Sequence, residues 1–316
     1  MISGGWLWYT IMCAITMFNI AFCAYVFVTR HWKRQRLFEK NYNNNNNSSS
    51  NSSSSGNTYL QQLIPSTIND LATEKITAPL KQQSAMNVCC WIFVLVAGYR
   101  STFPRIDVPR ICWFDSPFSY IVYGRISASI AEICWAFQIS IVLSNFASGL
   151  AAHTTYKMAL LIVPLAIVAE CFSWTCISIE NRLYCTCEES IWTVIFLIAF
   201  LGHIYLYKRV GYVNPPTSLG IGYFGYSIFL FLCIIAQLLQ VVLYVTRYIE
   251  DTQNNVKYKG FIQGFELLHS CKTISKNIDD WGDDAAWMTG YFSICVWSSI
   301  WLTIPPRMPN TGSGLL

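Results

Sequence analysis

Three ionisable residues, Arg125, Glu132 and Glu170, stand inside stretches that are otherwise apolar. A charge at bilayer depth is costly unless paired, so such residues mark ion, proton or substrate pathways and their partners. Arg125 and Glu132 are seven residues apart on one apolar run. That is close to two helical turns, so both project from one face, together with Ser129 and Ala136. The spacing is wider than a direct i,i+4 pair; the two head groups can approach through a water or a ligand, and the alternative is an interhelical salt bridge that fixes packing. One arginine against two glutamates leaves an acid without a counter-charge, suited to take up a proton or a cation.

A second set of acids stands beside tryptophans. Trp192 follows Glu188 at i+4 and Glu189 at i+3, and Trp287 follows Asp283 and Asp284 at the same offsets. Tryptophan at a helix end ordinarily anchors the helix at the membrane interface. Repeated beside paired acids, it also describes an acidic outer mouth that concentrates cations or amine-bearing ligands. Gln237, Gln240 and His203 complete the polar inventory, and side chains of this kind commonly join transmembrane helices by hydrogen bonds.

The elements that must position these groups are membrane helices. The chain is 53% hydrophobic and 12% charged, where soluble domains carry about 25% charged residues. Seven apolar runs emerge, over Trp6–Thr29, Ser84–Tyr99, Pro117–Asn145, Met158–Ile179, Ser190–Tyr207, Leu219–Thr246 and Ala285–Ile304. Most approach or exceed the roughly 20 residues that cross a hydrocarbon core. The expected fold is an all-α, polytopic helix bundle with about seven transmembrane helices. Ser84–Tyr99 is the shortest run, and six helices remain if it does not cross. The organisation follows as a first helix (1–29), a basic and Asn/Ser-rich loop (30–83), the main bundle (84–304) and a short tail (305–316).

Charge sets the orientation. Arg30, Lys33, Arg34, Arg36 and Lys40 follow the first run, and no charged residue precedes it. The positive-inside rule places this basic cluster in the cytoplasm and the N-terminus outside. A cleaved signal peptide would need a basic start and a shorter core. Alternating sides then gives cytoplasmic segments with eleven bases and three acids, net +8, and outer loops with nine bases and twelve acids, net −3. With Arg125, Glu132 and Glu170 the total is the chain's +4. A basic inner face suits anionic lipid, so the bilayer is the expected partner and no nucleic acid is needed.

Of thirteen cysteines, nine lie in apolar runs, where cysteine acts as a small hydrophobe. The other four, Cys112, Cys185, Cys187 and Cys271, all fall in loops assigned outside. Disulfides persist in oxidising compartments, so two bridges among these four are expected, with three pairings open.

Residues 43–57 read NNNNNSSSNSSSSGN and have nothing to bury, so disorder is expected there. The tract holds glycosylation acceptors at Asn46, Asn47 and Asn51, which the cytoplasmic assignment leaves bare.

Several functions fall away on motif grounds. Gly220-Ile221-Gly222-Tyr223-Phe224-Gly225 matches a dinucleotide fingerprint, but that fingerprint needs a strand before it and a βαβ unit around it; here it opens a membrane run. Cys185-Thr186-Cys187 lacks the C-x-x-C spacing of zinc or redox sites, and the four histidines are scattered. No lysine lies in any span, which removes a retinal Schiff-base site. The third run ends Ser144-Asn145, without the acid–Arg–aromatic triplet of G-protein-coupled receptors. No family is assigned, and no cofactor or metal is expected.

Three functions remain. The first is a small transporter or ion-coupled carrier, using the intramembrane glutamates and the acidic mouth to handle a proton, a small cation or an amine-bearing ligand. The second is a membrane-embedded enzyme acting on a lipid or isoprenoid by acid–base chemistry. The third is a receptor-like or assembly protein whose charges hold the fold. Residues 312–316 show no retrieval signal that would separate plasma membrane from endomembrane.

Overall fold

The computed structural model describes residues 4–49, 66–213 and 220–304. It is an all-α membrane bundle. In chain order the long helices are α1 (Gly4–Ser49), α2 (Ser66–Thr102), α3 (Ile121–Gly149), α4 (His153–Ile179), α5 (Arg182–Val213) and α6 (Gly220–Gln253). Six stretches on them are long and apolar enough to cross a bilayer, and the weakest expected span lies within one of these, Gln82–Thr102 of α2.

The last apolar run, expected as a single seventh helix, is not among these six and is composite. After a short surface helix, α7 (Phe261–Glu266), the chain forms α8 (Gly282–Gly290), a π turn (Tyr291–Cys295) and α9 (Val296–Leu302) without a break. A π turn disturbs the regular ladder of backbone bonds. Asn19 of α1, buried at 2% exposure, answers it: its Nδ2 donates to the Phe292 carbonyl at 2.7 Å, and its Oδ1 accepts from Trp297 Nε1 at 2.8 Å. One turn on, fully buried Gln138 of α3 donates to the carbonyls of Met86 and Ser299 and accepts from the Ser299 hydroxyl. Trp135 Nε1 donates to Ser298 Oγ at 3.1 Å. The last helix is thus held by a polar seam, the arrangement that joins helices where lipid offers no hydrophobic drive.

Helix directions alternate. At one end lie the start of α1 and the connections α2–α3, α4–α5 and α6–α8. Gly5 there packs against the Lys276 carbonyl and Trp113, and Trp8 meets Trp113 and Trp281 with ring centroids 5.5 and 5.2 Å apart. A small sheet ties two of the connections: β1 (Arg105–Ile106) pairs antiparallel with β2 (Ile111–Cys112), which pairs parallel with β3 (Thr273–Ile274). Glu180, at the α4–α5 turn, bridges Arg110 and Lys259 at 2.7 Å each. At the opposite end, Arg30 and Gln83 both donate to the Thr303 carbonyl, at 2.5 and 3.0 Å.

Three expectations need correction. Helix α1 runs on to Ser49 and α2 begins at Ser66, so the basic segment and the first part of the Asn-rich tract, expected to be disordered, are helical. Residues 30–49 contain neither proline nor glycine to stop a helix already started. Asn51 and the rest of the tract through residue 65, like the tail 305–316, lie outside the described residues. Second, the connection expected over 180–189 shrinks to Glu180 and Asn181. Glu180 adopts a left-handed conformation, and Asn181 Oδ1 accepts from the Leu183 amide at 3.0 Å. Cys185, Cys187, Glu188 and Glu189 therefore ride on α5.

Third, the disulfides are Cys112–Cys271 and Cys176–Cys185, and Cys187 is a free thiol. The tight α4–α5 turn sets the last turn of α4 beside the first of α5. It brings the Cα atoms of Cys176 and Cys185 within 5.5 Å, while Cys187, two residues on, faces another way. Digestion of alkylated, non-reduced protein should therefore yield these two linked peptide pairs and alkylated Cys187 by mass spectrometry. Alkylation at Cys185 with the cross-link at Cys187, read by fragmenting the linked peptide that carries both, would overturn the pairing.

Candidate functional site

Arg125 of α3 is the hub of a charge cluster. Its Nη2 lies 2.6 Å from Glu170 of α4, 3.1 Å from Glu132 of α3 and 3.5 Å from Glu188 of α5, and its Nη1 lies 4.0 Å from Asp107 in the α2–α3 connection. Arg125, Glu132 and Glu170 are 6%, 8% and 4% exposed. The Arg125–Glu170 pair is an interhelical salt bridge. Arg125 and Glu132, expected to approach through a water or a ligand, are in direct contact. Two turns of helix separate their Cα atoms by ~10 Å, and the long side chains lean along the axis to close that gap.

Neighbours fix the carboxylates. Glu170 Oε2 also accepts from Ser129 Oγ at 2.5 Å, and that hydroxyl accepts from Trp174 Nε1 at 3.1 Å. Glu132 Oε1 accepts from the hydroxyl of Tyr291, the first residue of the π turn, at 3.0 Å. Oxygens of Glu132, Glu170 and Glu188 lie within 4.8 Å of one another, close enough to share a cation. The cation they share is the Arg125 guanidinium, which leaves little reason to place a metal there.

Above the hub is a cavity of about 140 Å³. Of the expected mouth residues, Glu188, Glu189, Trp192, Asp284 and Trp287 line it, together with Arg125 and Glu132. Glu170 sits behind Arg125. Asp283 turns away: its side chain is 80% exposed and reaches only to Arg247 at 4.0 Å. Asp284 also meets Arg247, at 3.7 Å.

The cavity wall includes groups the sequence did not mark as a site. Asp107 and Arg105 reach it from a loop without periodicity. Gln237 and Tyr244 reach it from α6, and Tyr291 from the π turn. Gln237 and Tyr244 are seven residues apart, so their shared helix face is a signal that was legible. His203, by contrast, packs against Phe146 and Tyr226 well away from the cluster. Gly225 of the glycine-rich hexapeptide faces the Trp301 ring, a helix-packing role.

The chain matches no family model, no curated protein and no solved structure.

Proposed function

We propose that this membrane protein is a small ion-coupled carrier whose binding and coupling groups are the Arg125 cluster and the cavity above it. The charge balance supports the reading. One buried guanidinium answers Asp107, Glu132, Glu170 and Glu188, and Glu189 adds another carboxylate beside them. Inside a membrane such an excess is compensated by a counter-charge, which a proton or small cation entering the cavity supplies. Glu132 and Glu170 are the coupling acids in this reading. Glu188, Glu189, Asp284, Trp192 and Trp287 form the mouth. The positive-inside assignment puts that mouth, with the N-terminus, on the outer face.

The test is proton flux. Purified protein in liposomes carrying a trapped pH dye should dissipate an imposed pH gradient. Glu132→Gln and Glu170→Gln should each slow that rate at least tenfold. Both are near-isosteric changes, so unchanged melting in detergent would separate lost coupling from lost folding. Wild-type flux no faster than that of empty liposomes, or variants as fast as the parent, would remove the carrier reading.

A further inference from the structure

We propose that the cavity takes a small primary alkylammonium ion, with Glu189 as its charged anchor and Gln237 and Asp107 as further acceptors of its N–H groups. The proposal deepens the carrier reading by naming a ligand class, and it rests on that reading for the ligand's passage across the membrane but not for its binding.

The first observation is a set of acceptors on the cavity wall that no cation or donor meets. Among the described residues, no cation lies within 4.0 Å of the Glu189 carboxylate, whereas Glu188 beside it reaches Arg125. Gln237 Oε1 and Asp107 Oδ1 are buried and have no hydrogen-bond partner. All three residues line the one cavity. Buried acceptors are costly to leave unmet, so this wall asks for a donor.

The charged donors on this wall are turned toward other groups, although Arg125 Nε keeps no hydrogen-bond partner. Arg125 serves the glutamates and the Tyr291 hydroxyl serves Glu132. Arg100 stacks over the Phe292 ring at 5.7 Å. Arg105 keeps Nε and Nη2 without partners, but both are pressed against the backbone of Gly124 on α3. A ligand carboxylate therefore finds no open fork there.

Charge, shape and size agree. The lining holds five carboxyl groups, Asp107, Glu132, Glu188, Glu189 and Asp284, against three guanidinium groups, Arg100, Arg105 and Arg125, so acidic side chains outnumber basic ones. Trp192, Trp287 and Tyr291 supply aromatic surface, which attracts an ammonium group and tolerates its alkyl chain. The volume of about 140 Å³ is near that of a cavity able to hold benzene, so the ligand is a molecule of roughly that size.

Butylammonium and tetramethylammonium discriminate the idea, because they are isomers of equal charge and only the first has N–H donors. With the full chain in lipid nanodiscs, butylammonium should raise the melting temperature saturably, as a ligand of the folded state does. Tetramethylammonium should need at least tenfold higher concentration for the same shift. Glu189→Gln should weaken butylammonium at least tenfold, and Gln237→Leu should weaken it severalfold. Glu189 makes no ion pair, so its variant should melt like the parent when no ligand is present; if it does not, Gln237→Leu carries the test. Equal potency of the isomers, absence of binding by either, or full binding by both variants would overturn the proposal. The amine-free proton-flux assay on Glu132 and Glu170 variants is independent of all these outcomes, so the two ideas fail separately.

Discussion

Replacing Arg125 with leucine should destabilise the protein by roughly 3–5 kcal/mol, the usual cost of removing one partner from a buried ion cluster. The reason is what stays behind. Glu132 and Glu170, both under 10% exposed, would face each other and Glu188 with no positive charge between them. Melting in detergent should fall sharply, and recovery of folded protein should fall with it. The three glutamate contacts converge on a single nitrogen, Nη2, so a point charge keeps much of the arrangement. Arg125→Lys should therefore lose much less, on the order of 1–2 kcal/mol. A leucine variant that melts like the parent would mean that the acids are already neutral without arginine.

Gly264→Val should be the next most damaging single change. Gly264 of α7 lies so close to the Ser178 carbonyl of α4 that a Cβ would overlap this backbone oxygen. A backbone cannot rotate aside as a flexible side chain does, so α7 would have to lift from α4. Overpacking of this kind costs about 1–3 kcal/mol, occasionally more. Lifting α7 would strain Lys259, whose amide donates to the Ile179 carbonyl at 3.2 Å and whose ammonium reaches Glu180. The expected result is a lowered melting temperature with faster amide exchange at residues 256–270. Exchange at the parent rate would show that the contact relaxes freely.

What the sequence revealed, and what it hid, has a physical pattern. Hydropathy marks where a helix is buried in lipid, so the crossing regions and the three intramembrane charges were legible. It does not mark where a helix stops. Charged residues ended the apolar runs at Ser190 and Thr246, yet α5 begins at Arg182 and α6 continues to Gln253. That displacement turned Glu188 and Glu189 from loop residues into helix residues beside Arg125. Cys176 was hidden for the opposite reason: it lies in an apolar run and behaves, by composition, like any small hydrophobe. Asp107 gave no signal, because only the sheet pairing of Arg105–Ile106 with Ile111–Cys112 shapes the loop that carries it in. The π turn was invisible in periodicity, although Asn19, Gln138, Ser298 and Ser299 were open to reading as a polar seam.

That seam bears on how the protein is made. The composite last helix lies against α1, α2 and α3, not at the edge of the bundle. Ribosomal synthesis supplies it only after α1 to α6, including the three helices it packs against, have been made. Until then the amides of Asn19 and Gln138 and the indole of Trp135 lack the partners that α9 and the π turn provide. A nascent chain that still lacks this segment is therefore an intermediate with unmet polar groups facing a vacant slot, the kind of feature by which a membrane's quality-control machinery can recognise an incompletely packed bundle.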